Sequence, residues 1–92
     1  FSLHDALPIC LWHLRDQAGL HEVDLIVEAR NRIVAFEVKL SASVSDADVK
    51  HLLWLRSRIG DGLADAVIIT TGQSAYRRAD GVAVVPLALL GP

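Results

Sequence analysis

Two apolar runs of strand length, VDLIV at residues 23–27 and IVAFEV at residues 33–38, flank the polar patch Glu28-Ala29-Arg30-Asn31-Arg32. No other feature constrains the fold as much. Both runs are rich in β-branched residues, and so short a connection joins antiparallel neighbours in a hairpin. Pairing Glu28 with Ile33 closes a loop over Ala29 to Arg32 and fixes the partner indices at a constant sum of 61. That register sets Asp24 opposite Glu37 and Glu22 opposite Lys39. Side chains alternate along a strand, so Glu22, Asp24, Ile26, Ala35, Glu37 and Lys39 are expected on one face. Val23, Leu25, Val27, Val34, Phe36 and Val38 are expected on the other, which is wholly apolar.

The polar face has a chemical consequence. Two carboxylates directly opposite each other repel and destabilise a strand pair. A divalent cation between them reverses the sign of that interaction, and magnesium prefers carboxylate oxygens plus water. Lys39, two residues beyond Glu37, lies on the same face within reach of a metal-bound water or a phosphate. The arrangement reads as a small metal site able to polarise water and a phosphoryl oxygen. The alternative is a salt-bridged sheet edge in which Lys39 neutralises Glu22 or Glu37. Spacing leaves both open.

Upstream, residues 11–15 read as a strand antiparallel to residues 22–27, although Leu11, Leu14 and Arg15 also fit one helical turn. Asp16-Gln17-Ala18-Gly19 follows as a turn. His13 and His21 read as rim residues, because no Cys/His cluster with zinc spacing accompanies them. Downstream, Ser45 and Asp48 form a capping pair, and Asp46 and Asp48 suit the first turn of a helix. Val49, Leu52, Leu53, Leu55 and Ile59 recur at helical spacing up to Gly60, with Gly62 reinforcing the stop. The AVIITT run at residues 66–71 suits a strand covered on both sides. With residues 33–38 and the helix it makes a right-handed β-α-β crossover with parallel strands. Residues 74–80 read as a polar loop carrying Arg77 and Arg78, a candidate phosphate contact or simply solvated charge. Residues 82–85 form a last strand, and residues 86–90 a helix or hydrophobic tail.

Asp24 followed by Glu37-Val38-Lys39 on the next strand resembles the D…ExK signature of the PD-(D/E)XK nuclease superfamily. More narrowly, EVDLIVEARNRIVAFEVKLSASVSDADVKHL, with the later IITTG and VPL segments, resembles the C-terminal domain of prokaryotic P-loop ATPases of the domain-of-unknown-function 4143 type. The likeness runs from about Leu11 to the end. It implies an α/β fold of restriction-endonuclease-like type, a small mixed sheet in which an antiparallel hairpin precedes a β-α-β crossover. It also implies that Asp24 and Glu37 bind Mg2+ or Mn2+ and that Lys39 positions the attacking water. The superfamily's first helix, which often supplies another glutamate, has no counterpart here; Glu22 is the candidate substitute. The helix after ExK often carries a residue facing the site, and Lys50 and His51 hold that position.

Composition sets the outer bounds. Ninety-two residues make one small domain, and 52% hydrophobic content is high for its size. This suggests apolar surface that meets a further segment or partner. A net charge of −2 provides no global basic field for nucleic acid. One cysteine, Cys10, fits a reducing, cytoplasmic setting, and no apolar run is long enough to span a membrane. Ser2 to Ile9 resembles the translation of a sequencing-adapter oligonucleotide, so residues 1–9 are expected to be non-native, with a disordered arm as the alternative. Residues 10–92 are then a single nuclease-like domain, a C-terminal fragment of a longer ATPase chain. Its expected activity is metal-dependent phosphodiester hydrolysis on nucleic acid. The alternative is a non-catalytic recognition or regulatory module serving the N-terminal ATPase domain of the same parent chain. No GxxxxGK[ST] loop occurs in these residues, so they are not expected to bind ATP themselves.

Overall fold

A two-residue turn sets the register of the central sheet. Arg30 and Asn31 both have positive φ, 55° and 64°, the backbone of a type I′ hairpin turn. The loop is therefore tighter than the four residues expected, and Ala29 pairs directly with Arg32. The computed structural model describes residues 10–15 and 22–90. The expected foreign tract, the 16–19 turn and His21 lie outside the described residues.

Among the described residues six strands form one sheet: β1 (Cys10–Arg15), β2 (Glu22–Ala29), β3 (Arg32–Lys39), β4 (Leu63–Thr70), β5 (Tyr76–Arg77) and β6 (Ala83–Pro86). Their order is β1-β2-β3-β4-β6-β5. Between β3 and β4 runs one α-helix, α1 (Lys50–Ile59), preceded by a 3-10 turn at Asp46–Val49. β1, β2 and β3 are successively antiparallel, whereas β3, β4 and β6 are parallel and β5 returns antiparallel to β6. The mixed α/β architecture, the hairpin and the parallel crossover pair all match expectation. The polar stretch at 74–80 is not all loop, however: Tyr76 and Arg77 pair with Val84 and Ala83. The terminal segment is a 3-10 turn, Leu87–Leu89. Among the described residues no helix is long and apolar enough to cross a membrane.

The core lies between the sheet and α1. Ile26, Ala35, Ala66, Ile68 and Val84 from the strands meet Val49, Leu52 and Leu55. Each fully buried leucine or isoleucine there contributes about 1.5–3 kcal/mol. Among the described residues only one face of the sheet is covered by a helix. Along β4 buried and half-buried residues alternate, so residues 66–71 are not shielded on both sides as their unbroken hydrophobicity suggested. On the far face Leu11, Leu25 and Val38 are exposed.

One irregularity changes which residues share a face. Trp12 pairs with Ile26 but Leu14 with Val23, so His13 alone opposes both Asp24 and Leu25. This is a β-bulge, which breaks the strict alternation of β2. Val23 and Ile26, three residues apart, consequently both enter the core, at 0% and 2% exposure. Val23 thus leaves the face assigned to it by simple alternation. Glu22, beside it, moves with the bulge to the side of Arg15.

Candidate metal centre

β3 projects Glu37 toward the α1 side of the sheet, in line with Ala35 and the buried Ile68 of β4. The β2–β3 ladder holds the expected index sum from Ala29–Arg32 to Leu25–Phe36 and ends there. Beyond it the bulge frees Asp24 to turn its side chain toward β3. Its Oδ2 accepts the Val38 backbone N–H at 2.9 Å. The Asp24 carboxylate therefore stands in for a ladder partner and is delivered beside Glu37.

The two carboxyl groups meet. Burial pushes the Glu37 carboxyl up from 4.5 to about 8, helped by the Asp24 charge and by a side-chain hydrogen bond with Asp24. The Asp24 backbone N–H works in the opposite direction, and the charge of Glu22 adds to the rise. Near neutrality Glu37 thus keeps its proton, as a half-buried carboxyl beside another carboxylate does. Glu37 Oε1 is buried and has no hydrogen-bond partner among the described residues. A buried, unpartnered carboxylate oxygen is costly, and it marks a place where a cation would lower the energy.

The other expected site residues go elsewhere. Lys39 shares the face of Glu37, but its Nζ is 2.6 Å from Oδ1 of Asp48. Asp48 also accepts the Ser45 N–H at 2.7 Å and its hydroxyl at 3.0 Å. The Lys39 ammonium, followed by the Ser45 N–H, holds the Asp48 carboxyl down at about 2. The predicted Ser45–Asp48 cap is present, opening the 3-10 turn rather than α1 itself. Lys39 neutralises neither Glu22 nor Glu37, so the salt-bridged-edge arrangement is not the one adopted. Glu22 does not sit opposite Lys39; it lies 3.1 Å from His13 Nε2 and 3.2 Å from Arg15. From α1, His51 accepts the Glu22 backbone N–H through Nδ1 at 3.3 Å, which ties the helix to the start of β2. Lys50 is exposed.

Arg77 and Arg78 sit at the far side of the sheet. Arg77 grips both oxygens of Asp65, at 2.9 and 3.1 Å, and the Gly81 carbonyl. Arg78 bonds Asp80 and Asp46. Asp65, Asp46 and Asp80 are the carboxylates that sequence reasoning did not connect to these two arginines, as Asp48 was not connected to Lys39.

Among the described residues no group of three or more His, Cys, Asp or Glu converges as a metal cage. Two carboxylates nevertheless suit magnesium, which keeps most of its waters and is often held by one or two carboxylates plus a substrate phosphate. The unpartnered Glu37 Oε1 fits that donor set. Among the described residues, fold and site together define a mixed-sheet α/β domain with one α-helix and a carboxylate pair, Glu37 half-buried and Asp24 exposed, near the end of a parallel strand. The chain belongs to the family described as a domain of unknown function, DUF4143, whose model matches residues 2–90. No curated protein and no solved structure matches it.

Proposed function

We propose that this domain is a restriction-endonuclease-like module that binds Mg2+ or Mn2+ through Asp24 and Glu37 and hydrolyses a phosphodiester of a nucleic acid. The observation that carries the reading is the Asp24–Glu37 contact with its orphaned Oε1. A bound divalent ion supplies a Lewis acid for a phosphoryl oxygen and a more acidic water. Asp24 and Glu37 bind, Asp24 being held in place by the Val38 N–H. Lys39, on the same strand face, orients water and offsets developing negative charge once its ammonium leaves Asp48. Glu37 must lose its proton to bind, so activity rises as the pH climbs toward about 8.

The test is cleavage of end-labelled single- and double-stranded oligonucleotides with Mg2+ or Mn2+. The wild-type domain cleaves, and Asp24→Asn, Glu37→Gln and Lys39→Ala each lose on the order of 100-fold or more. No cleavage with either ion, or cleavage indifferent to Asp24→Asn, overturns the reading.

A second reading draws on the Lys39–Asp48 ion pair. If that lysine stays engaged, the domain is a non-catalytic recognition or regulatory module appended to a P-loop ATPase. Ion binding without cleavage, unchanged by Lys39→Ala, supports that role.

A further inference from the structure

A second concave surface lies beyond the C-terminal ends of the parallel strands, where open α/β sheets commonly receive ligands. It is a cleft of about 390 Å³, lined among others by Thr71, Gly72, Gln73, Ser74, Tyr76 and Val84. That volume falls within the range of small-molecule sites, about 300–1,000 Å³.

Its place relative to the carboxylate pair follows from the register. Glu37 pairs with Ile68, Ile68 with Val84, and Val84 with Tyr76. The four residues form one row across the sheet, all on the α1 side. Three strand spacings of about 4.8 Å separate its ends, so Tyr76 stands ~14 Å from Glu37.

The lining excludes some ligands and suits others. It contains no charged side chain, so the cleft does not select a phosphate or carboxylate. Tyr76 is 48% exposed and offers a ring face. Val84 gives an apolar floor, and the Gln73 amide can donate and accept on one planar edge. A neutral, flat ring with hydrogen-bonding edges satisfies all three. The wall is already built: Thr71 donates its N–H to the Ser41 carbonyl at 3.3 Å, and Gly72 donates to Thr70 Oγ1 at 3.2 Å. A Cβ on Gly72 would stand only 3.1 Å from the Ala42 carbonyl oxygen, so glycine permits this close approach.

We infer that the cleft receives an unstacked nucleobase of a single-stranded substrate, stacked on Tyr76 with its edge met by Gln73 and Ser74. The inference rests on the proposed phosphodiester chemistry, since the base it holds belongs to the strand presented to Asp24 and Glu37. Stacking is tolerant of sequence and the amide adds a modest preference.

The test is fluorescence anisotropy of a labelled single-stranded oligonucleotide bound to the full chain in EDTA, where neither ion nor cleavage contributes. Tyr76→Ala is expected to weaken binding about 5- to 100-fold, Tyr76→Phe to retain it, and Gln73→Ala to alter base preference. Unlabelled nucleoside should compete and inorganic phosphate should not. Circular dichroism of each variant checks folding. Absence of wild-type binding overturns the inference, as does Tyr76→Ala within twofold of wild type or equal losses in Tyr76→Ala and Tyr76→Phe. Tyr76-dependent binding in a domain that never cleaves upholds the cleft and removes the nuclease reading. Cleavage with a KM unchanged by Tyr76→Ala removes the cleft and leaves that reading standing.

Discussion

Making the medium alkaline should destabilise this fold through a single side chain. Glu37 binds its proton more tightly folded than unfolded, its carboxyl rising from 4.5 to about 8. Between those values the native state holds more protons than the unfolded chain, so unfolding free energy falls with rising pH. The contribution is fully present below about 4.5 and is lost as the pH passes about 8. At ~1.4 kcal/mol per pH unit, complete shielding would set a ceiling near 5 kcal/mol. Glu37 is only half-buried, and solvent screening reduces this to about 2 kcal/mol. For a domain of this size that is a fall in Tm on the order of 10 °C. The assay is thermal unfolding by circular dichroism from about pH 5 to pH 9 in EDTA, comparing wild type with Glu37→Gln. Glutamine keeps the shape, carries no charge and can donate to Asp24. The difference between the two proteins removes whatever other groups contribute in common. Glu37→Gln should be flat where wild type declines and should be the more stable protein at the alkaline end. Equal slopes, or a wild-type Tm that rises over this range, would refute the argument that the pair is uncompensated.

Other consequences are as direct. Asp48→Asn should remove the Lys39 ion pair and weaken the Ser45 cap, lowering Tm by about 5 °C at neutral pH. Because the Asp48 carboxyl is depressed from 3.8 to about 2, this stability is present above 3.8 and lost as the pH falls toward 2; the variant's acid limb should be flatter. Thr70→Val should cost about 1 kcal/mol in urea unfolding, since Gly72 loses its acceptor at a site with 2% exposure. Arg30 has φ 55°, so Arg30→Asn should stabilise by about 0.5 kcal/mol and Arg30→Val should destabilise by about 1 kcal/mol by the same measurement.

The hairpin, its index sum and the parallel crossover were legible because alternation and apolar runs are strong, local signals. The meeting of Asp24 with Glu37 was legible too, though by a different route. The expected directly opposed strand pair is replaced by a bulge that lets Asp24 reach across. No glycine or proline marks that bulge, and a single extra residue leaves the hydrophobic pattern of β2 nearly intact; the burial of Val23 alone betrays it. Lys39 was assigned by proximity along its strand, yet the side chain spans to Asp48, whose capping role was visible but whose second partner was not. β5 escaped notice because two polar residues carry no periodicity. β4 begins at Leu63 rather than Ala66 because Asp65 is accommodated at its start by Arg77 and by the Ala66 N–H.

The claim that Asp24 and Glu37 form a cation site is tested most directly by adding Mn2+ or Mg2+ to the domain near neutral pH and following its Tm. An ion that binds the native pair and not the unfolded chain stabilises by about 2.7 kcal/mol at a hundredfold excess over Kd, which corresponds to an upward shift on the order of 10 °C. The wild-type curve should rise and saturate, whereas Asp24→Asn, which retains an oxygen to accept the Val38 N–H, should fold normally and show no metal-dependent gain. No wild-type shift with either ion, or an equal shift in Asp24→Asn, would contradict the account.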